Sequence, residues 1–457
     1  MIHCYKLGGF NIVLDTPSGC VHYVDAAAYD AIRLYEDGGR EGLISKIIDK
    51  NPEITEAEAL ELIDDIEELK LRKKLFAPDI YSDLPGLARK TTLKALCMNV
   101  SHLCNMSCAY CFASSGKYGG GGELMPLGTG KRAIDFLVEN SEGRKKLDVD
   151  FFGGEPLLNW DTVKDIVKYA RSIERGANKE FRFTLTTNGL LIDSDVIEFT
   201  NKEMDNVVLS LDGRPETNDA FRKLPDGGGS FRDVFPKHKA LVQARQGRQY
   251  YIRGTFTNNN LNFSDDILYL ADLGFSELSM EPVVAKQGSP YGLTKDDLPK
   301  LFEQYELLAA EMLKREKEGK GFTFYHFMID LTSGPCIYKR LSGCGVGREY
   351  LAVTPRGELY PCHQFVGDGN FLMGDIWRGV TNEKLRDEFG GCDIYSRTEC
   401  VNCWARIYCS GGCAANAYNI SGSVNGVYEL GCELFKKRIE CAIMMKTAIS
   451  AYNQSCG

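Results

Sequence analysis

Hydrophobic and polar positions change rhythm three times along the chain. Near the N-terminus, residues 4–15 and 20–25 read as extended segments around Thr16-Pro17-Ser18-Gly19, which predicts a hairpin. Helical stretches follow near 26–36, 40–50 and 55–72. The third opens with Thr55-x-x-Glu58, a capping box, and carries Leu62, Ile63, Ile66 and Leu69 on one face. A hairpin with three short helices is a winged-helix pattern, so a separate unit is predicted over residues 1–85. Residues 79–89, with Pro78 and Pro85, read as its linker.

From Thr92 to Gly321 the pattern alternates. Strands are predicted at 94–100, 147–152, 181–187, 207–211, 250–257 and 278–283, with helices at 130–140, 161–175, 193–202 and 264–273 among them. Six βα repeats predict an α/β domain over 86–330, a parallel sheet curled into a partial (β/α)6 TIM-like barrel with right-handed crossovers. In such barrels the chemistry sits at the C-terminal ends of the strands. From about Gly334 periodicity fades while glycine and cysteine crowd, so residues 331–457 are expected to bury little apolar surface and to fold around metal.

Composition, 44% hydrophobic and 26% charged over 457 residues, is that of a soluble globular protein. Met1-Ile2-His3-Cys4-Tyr5-Lys6 lacks the basic and apolar regions of a secretory signal, and no apolar run reaches the ~20 residues that span a bilayer. A cytoplasmic protein without a membrane partner is expected. A net charge of −9 argues against nucleic acid, whose phosphates need clustered Lys and Arg. The seventeen cysteines alter this plain picture. Cytosolic thiols stay reduced, so disulfides do not explain them, and burial explains only a few. The remainder call for metal.

Directly after the first barrel strand comes Cys104-Asn105-Met106-Ser107-Cys108-Ala109-Tyr110-Cys111. This C-x3-C-x2-C spacing resembles the signature of the radical S-adenosylmethionine (SAM) superfamily. A structural zinc site would instead take four ligands, usually in paired C-x2-C knuckles. The resemblance implies a four-iron cluster on Cys104, Cys108 and Cys111 whose open iron binds SAM. It further implies reductive cleavage of SAM to a 5′-deoxyadenosyl radical that takes hydrogen from substrate. Gly153-Gly154-Glu155-Pro156 follows the second strand and resembles the family's GGEP motif, where the backbone and Glu155 would hold the SAM ammonium. Thr187-Asn188-Gly189 and Ser210-Leu211-Asp212-Gly213 end the third and fourth strands. By the same resemblance Asn188 lies near the ribose, Ser210 and Arg222 lie near the SAM carboxylate, with Asp212 in the same strand-end motif, and Tyr110 and Phe112 line the adenine pocket.

The C-terminal third carries Cys344, Gly357-x4-Cys362, Cys400-x2-Cys403-x5-Cys409-x3-Cys413 and Cys432. Their order resembles the SPASM extension of peptide-modifying radical SAM enzymes, which implies two further four-iron clusters. Cys344, Cys362 and Cys413 would ligate the first, and Cys400, Cys403, Cys409 and Cys432 the second. Cys336 would complete the first, or an iron there stays open for a substrate thiolate. Sulfatase maturases carry aspartate just after the cysteine equivalent to Cys362; here that residue is His363, a candidate proton acceptor.

A winged-helix unit before such a barrel resembles the leader-recognition element of ribosomal-peptide maturases, where an extended peptide adds a strand at a sheet edge. The whole chain, with Phe112-Ala113-Ser114 and Tyr118-Gly119-Gly120 after the first cysteines, is similar to the maturases of SCIFF peptides (six cysteines in forty-five residues). That similarity implies an oxidoreductase that joins a cysteine sulfur to a threonine α-carbon in a cysteine-rich precursor peptide, served by an electron donor such as flavodoxin or ferredoxin. The alternative is another SPASM oxidation, such as sulfatase maturation or carbon–carbon crosslinking; a non-enzymatic iron–sulfur electron carrier would not need GGEP, the strand-end motifs or a leader-binding unit.

Overall fold

A computed structural model of the chain describes residues 1–38, 40, 42–82, 92–285, 288–331 and 337–455. Cys336 and the boundary predicted at 85/86 lie outside the described residues.

The N-terminal unit contains three strands, not two. The extended segment predicted at 4–15 is split into β1 (Ile2–Leu7) and β2 (Phe10–Asp15). Gly8 and Gly9, with φ of 59° and 83°, form the two-residue turn between them, a conformation open mainly to glycine. With β3 (Cys20–Val24) they make an antiparallel sheet in the order β1-β2-β3. Helices α1 (Ala26–Gly38), α2 (Leu43–Lys50) and α3 (Glu56–Leu71) follow, and the Thr55–Glu58 capping box forms at the start of α3. Ile2, Val13, Tyr29, Ile32, Leu43, Ile47, Ile63 and Ile66 give this unit a core of its own.

The alternating region forms the predicted parallel sheet. Its strands are β4 (Ala95–Ser101), β5 (Lys146–Gly153), β6 (Glu180–Thr187), β7 (Asn206–Ser210), β8 (Tyr250–Phe256) and β9 (Glu277–Pro282), each beside the next. A two-residue strand, β10 (Thr323–Phe324), extends the row. Helices α4 (Leu127–Glu139), α5 (Trp160–Ala177), α6 (Ser194–Glu203), α7 (Pro215–Phe221), α8 (Phe231–Ala244), α9 (Phe263–Asp272) and α10 (Leu298–Lys317) connect them. Every residue of β4 is buried, as expected of a strand covered on both faces.

The C-terminal third is more regular than its sequence suggests. β11 (Tyr350–Val353) pairs in parallel with the free side of β4, and β12 (Glu358–Tyr360), β13 (Gly374–Asp375) and β14 (Gly379–Val380) continue the sheet antiparallel. The chain ends in the helix Glu429–Ser455, which packs on α10 and buries Leu430, Leu434, Ile439, Ala442 and Ile443. The expectation of little apolar burial therefore fails here. Apolar residues surround this helix instead of forming one stripe, so the sequence shows no amphipathic period. Among the described residues no helix is long and apolar enough to cross a membrane.

The N-terminal sheet rests on this C-terminal part. His3 stacks on Trp404, ring centroids 3.7 Å apart and planes 5° from parallel. Thr16 Oγ1 donates to the Trp404 carbonyl (3.1 Å) and Tyr5 Oη to the Glu440 carbonyl (3.0 Å).

Candidate functional site

The loop Cys104–Cys111 leaves the C-terminal end of β4, and neighbouring strand ends hold it in place. Gly154 N donates to the Ser101 carbonyl and Glu155 N to the Leu103 carbonyl, both at 2.8 Å. A side chain at Gly153, where φ is +133°, would put Cβ 2.3 Å from the Ser101 oxygen, and one at Gly154 would meet the Leu103 oxygen at 2.2 Å. Backbone can approach backbone here only without Cβ atoms. From the other side, Ser107 N and Ala109 N donate to the carbonyls of Lys223 and Phe221. Asn188, at the end of β6, donates through Nδ2 to Asn105 Oδ1 (2.8 Å) and lies 3.8 Å from Cys104 Sγ.

Glu155 works inside the fold. Its carboxylate is fully buried; Oε1 accepts from Leu157 N (3.0 Å) and Thr187 Oγ1 (2.7 Å), and Oε2 from Asn188 N (2.8 Å). Burial raises its pKa to about 7, against the pull of these hydrogen bonds. The side chain expected to meet an ammonium also fastens the ends of β5 and β6 together. Pro156 opens the turn Pro156–Asn159 behind it, in which Pro156 and Leu157 are buried.

Asp212 is a second fastener. It accepts from Tyr110 Oη at 2.5 Å, from Arg222 Nε at 2.9 Å and from Thr255 N at 3.0 Å. Arg222 also lies over the Tyr110 ring, 5.6 Å from its centroid, and its charge opposes the rise that burial imposes on the Cys108 thiol. Ser210 closes β7 opposite Arg253. The aromatics flanking Cys111 diverge: Tyr110 is tied to Asp212, whereas Phe112 turns toward His363, with centroids 5.5 Å apart. The two rings, both expected to line the adenine pocket, thus take different partners.

His363 lies between the barrel and the C-terminal part. Its ring packs 4.8 Å from Phe152, and Nδ1 is 3.5 Å from Tyr350 Oη. Burial, with the charge of Arg253, lowers its pKa to about 4, so the imidazole is neutral at pH 7.

Ten of the thiols fall into three groups. Cys362, raised by burial, also feels Cys413 and Cys344, and Cys413 feels Cys344. Cys409, raised by burial to about 12, feels Cys432, Cys400 and Cys403. Cys104, likewise raised to about 12 by burial, feels Cys108 and Cys111. Cys400, Cys403, Cys409 and Cys432 line one cavity of about 370 Å³, far above the ~30 Å³ share of a water molecule. Among the described residues no three or more Cys, His, Asp and Glu side chains are arranged to hold a single metal ion. Donor sets made wholly of thiols, one beside a roomy cavity, suit polynuclear iron–sulfur groups.

Sequence reading gave no contact to Asn105, Tyr118 or Tyr350, nor to Arg406, which lines the four-cysteine cavity. Tyr118 Oη donates to the Gly153 carbonyl at 3.0 Å, a contact that no local spacing signals.

Residues 98–257 match the family profile described as the Radical SAM superfamily. The chain is 23% identical over 390 residues to the radical SAM cyclopropyl synthase TigE of Paramaledivibacter caminithermalis, covering 79% of this chain and 76% of that one. It is 25% identical over 391 residues to the cysteine-type anaerobic sulfatase-maturating enzyme of Clostridium novyi, covering 79% and 99%. Among solved structures, anSMEcpe with bound AdoMet superposes with a TM-score of 0.64 at 21% identity, covering 79% of this chain and 99% of that one. The architecture is the radical SAM α/β fold.

Proposed function

We propose that the chain is a radical SAM maturase that joins a cysteine sulfur to the α-carbon of a threonine or similar residue in a ribosomally made, cysteine-rich peptide. One observation carries the reading: ten thiols fall into three groups, the first at the mouth of a parallel barrel and two in the C-terminal third.

Cys104, Cys108 and Cys111 would hold a SAM-binding cluster, Cys344, Cys362 and Cys413 a first auxiliary cluster, and Cys400, Cys403, Cys409 and Cys432 a second. When bound, the first cluster with SAM supplies a 5′-deoxyadenosyl radical. The chain's own residues supply position. Gly153 and Gly154 bring backbone carbonyls close enough to receive an ammonium, a task that Glu155 supports from behind. Asp212 fixes Arg222 beside Cys108, where its guanidinium suits a carboxylate. Neutral His363, among Phe112, Phe152 and Tyr350, can take a proton from a substrate group near Cys362. Among the described residues β3 pairs only with β2, leaving an edge with Tyr23 exposed for a leader strand. The crosslink removes two hydrogens from the peptide, one as the atom taken by the radical and one as the thiol proton, and the remaining electron would leave through the iron–sulfur groups. A flavodoxin- or ferredoxin-type donor would supply the electron that cleaves SAM.

A second reading, another peptide oxidation, is favoured by relatives named for sulfatase maturation and cyclopropyl synthesis. Anaerobic incubation of the iron-loaded chain with SAM, a reductant and a short cysteine-rich peptide encoded beside it separates the two. Loss of two hydrogens per crosslink, with deuterium passing from a labelled threonine α-carbon to deoxyadenosine, is expected. Deoxyadenosine without any peptide mass change overturns the thioether reading, and its formation by Cys104→Ala overturns the first site.

A further inference from the structure

Each barrel strand turns one face to the helices and the other to the interior. On β8, Tyr250, Ile252 and Phe256 are buried in the core, while Tyr251, Arg253 and Thr255 point the opposite way and are more accessible. Strand register sets Arg253 beside Ser210 on β7 and Ser279 on β9, level with the end of β7. Two residues back along β8, Tyr251 meets Tyr325 edge-on with centroids 5.4 Å apart, and Tyr325 is half exposed, so the interior is open on this side.

The Arg253 side chain is 52% exposed, and among the described residues the one carboxylate within reach is Glu281, 4.0 Å away and beyond hydrogen-bonding distance. The other arginines of the interior are better matched. Arg182, at the start of β6, has Asp148 at 2.6 Å, and Arg222 has Asp212 at 2.9 Å. Glu281 itself is shared, since Arg438 Nη1 lies 3.8 Å and His326 Nε2 3.4 Å from it. Arg438 is buried and further held by Tyr305 and His326. Two guanidiniums thus draw on one carboxylate, which leaves a positive charge over whatever the state of His326. Arg253 is the one of the two that an incoming group can reach. Its approach to Glu281 leans it toward β9 and the C-terminal helix, away from Ser210 and Arg222. A guanidinium fork in this position suits a second carboxylate, gripped by two charge-assisted hydrogen bonds.

We infer that Arg253 binds the substrate peptide through a carboxylate, an Asp or Glu side chain or the chain end, and so helps to set which residue meets the radical. The inference rests on the peptide-maturase reading and gives the substrate's chemistry at that site. Kinetics of the iron-loaded chain test it with the cysteine-rich peptide, versions in which each Asp or Glu is changed in turn to Asn or Gln, and a C-terminal amide. With the native chain, one neutral version should raise KM about tenfold with little change in kcat, and which one does so tells side chain from chain end. Arg253→Gln should raise the KM of the unaltered peptide by a similar factor and lose the response to that neutralisation. Its SAM Kd, by calorimetry, should stay within about twofold of native, and Arg253→Lys should give an intermediate KM. A native chain that responds less than about twofold to every neutral version overturns the inference, even where Arg253→Gln does not fold. Additive effects of the enzyme and peptide changes overturn it too, as does a weakened SAM Kd at full iron content, which would assign Arg253 to the cofactor. A native chain that leaves the peptide unmodified overturns the maturase reading, and the inference with it.

Discussion

Arg222 Nε donates to Asp212 Oδ1 over 2.9 Å, and the two side chains are 11% and 0% exposed. Through Asp212 the pair also holds Tyr110 from the cysteine loop and Thr255 at the end of β8. Removing one partner strands the other charge in a dry site. Arg222→Ala is expected to destabilise the chain by about 3–5 kcal/mol, with a smaller loss for Asp212→Asn, measured by anaerobic denaturant titration. Equal effects would mean that the charge is not the issue.

Gly153 offers a test of the backbone cradle. Gly153→Ala forces Cβ against the Ser101 carbonyl at a φ of +133°, and about 2–4 kcal/mol of destabilisation with loss of SAM affinity is expected. Gly143, with nothing within 4 Å, provides the control: Gly143→Ala should leave SAM binding, followed by calorimetry, as it was.

Acid should loosen the fold from pH 6.5 downward. Burial lowers the pKa of His238 and His326 to about 3 and of His102 and His363 to about 4, so the unfolded chain gains protons that the folded chain refuses. Stability is therefore full above about pH 6.5 and falls as pH drops toward 4. Glu155, raised by burial to about 7, and Asp150, raised to about 6, oppose this, as do Asp15 and Glu277, which burial also raises, but the four histidines are displaced over a wider span of pH. His238→Asn should flatten the slope of stability against pH between 6 and 5 by about one proton, ~1.4 kcal/mol per pH unit. An unchanged slope would place that ring in water.

The stack of His3 on Trp404 ties the N-terminal sheet to a residue adjoining Cys403. A double-mutant cycle of His3→Ala and Trp404→Ala should return a coupling of about 0.5–1.5 kcal/mol. Hydrogen exchange of α1–α3 should accelerate in either variant before that of the barrel strands does.

The barrel strands were readable in two ways: β4 as an apolar run buried throughout, and β5, β6 and β8 by the alternation of buried and less buried positions. The cysteines were readable because loop ligands keep short spacings. What escaped depends on distant partners. Asp79 reaches Arg406 across 327 positions, and Arg438 meets His326 across 112. The hydrogen bonds that Glu155 makes to Thr187 and Asn188 escaped as well, since a four-residue motif does not show them. Gly8 and Gly9 did signal a turn, but strand character on both sides concealed it.

The place of β11 beside β4 bears on how the chain is made. β4 gains β5 within about fifty residues of synthesis, yet its other side waits for Tyr350–Val353, more than half the chain later. Until that segment leaves the ribosome, Ala95–Ser101 presents a bare hydrogen-bonding margin next to unfilled thiols. A nascent chain stalled before residue 350 should therefore be sticky, and should lean on chaperones more than the finished protein does.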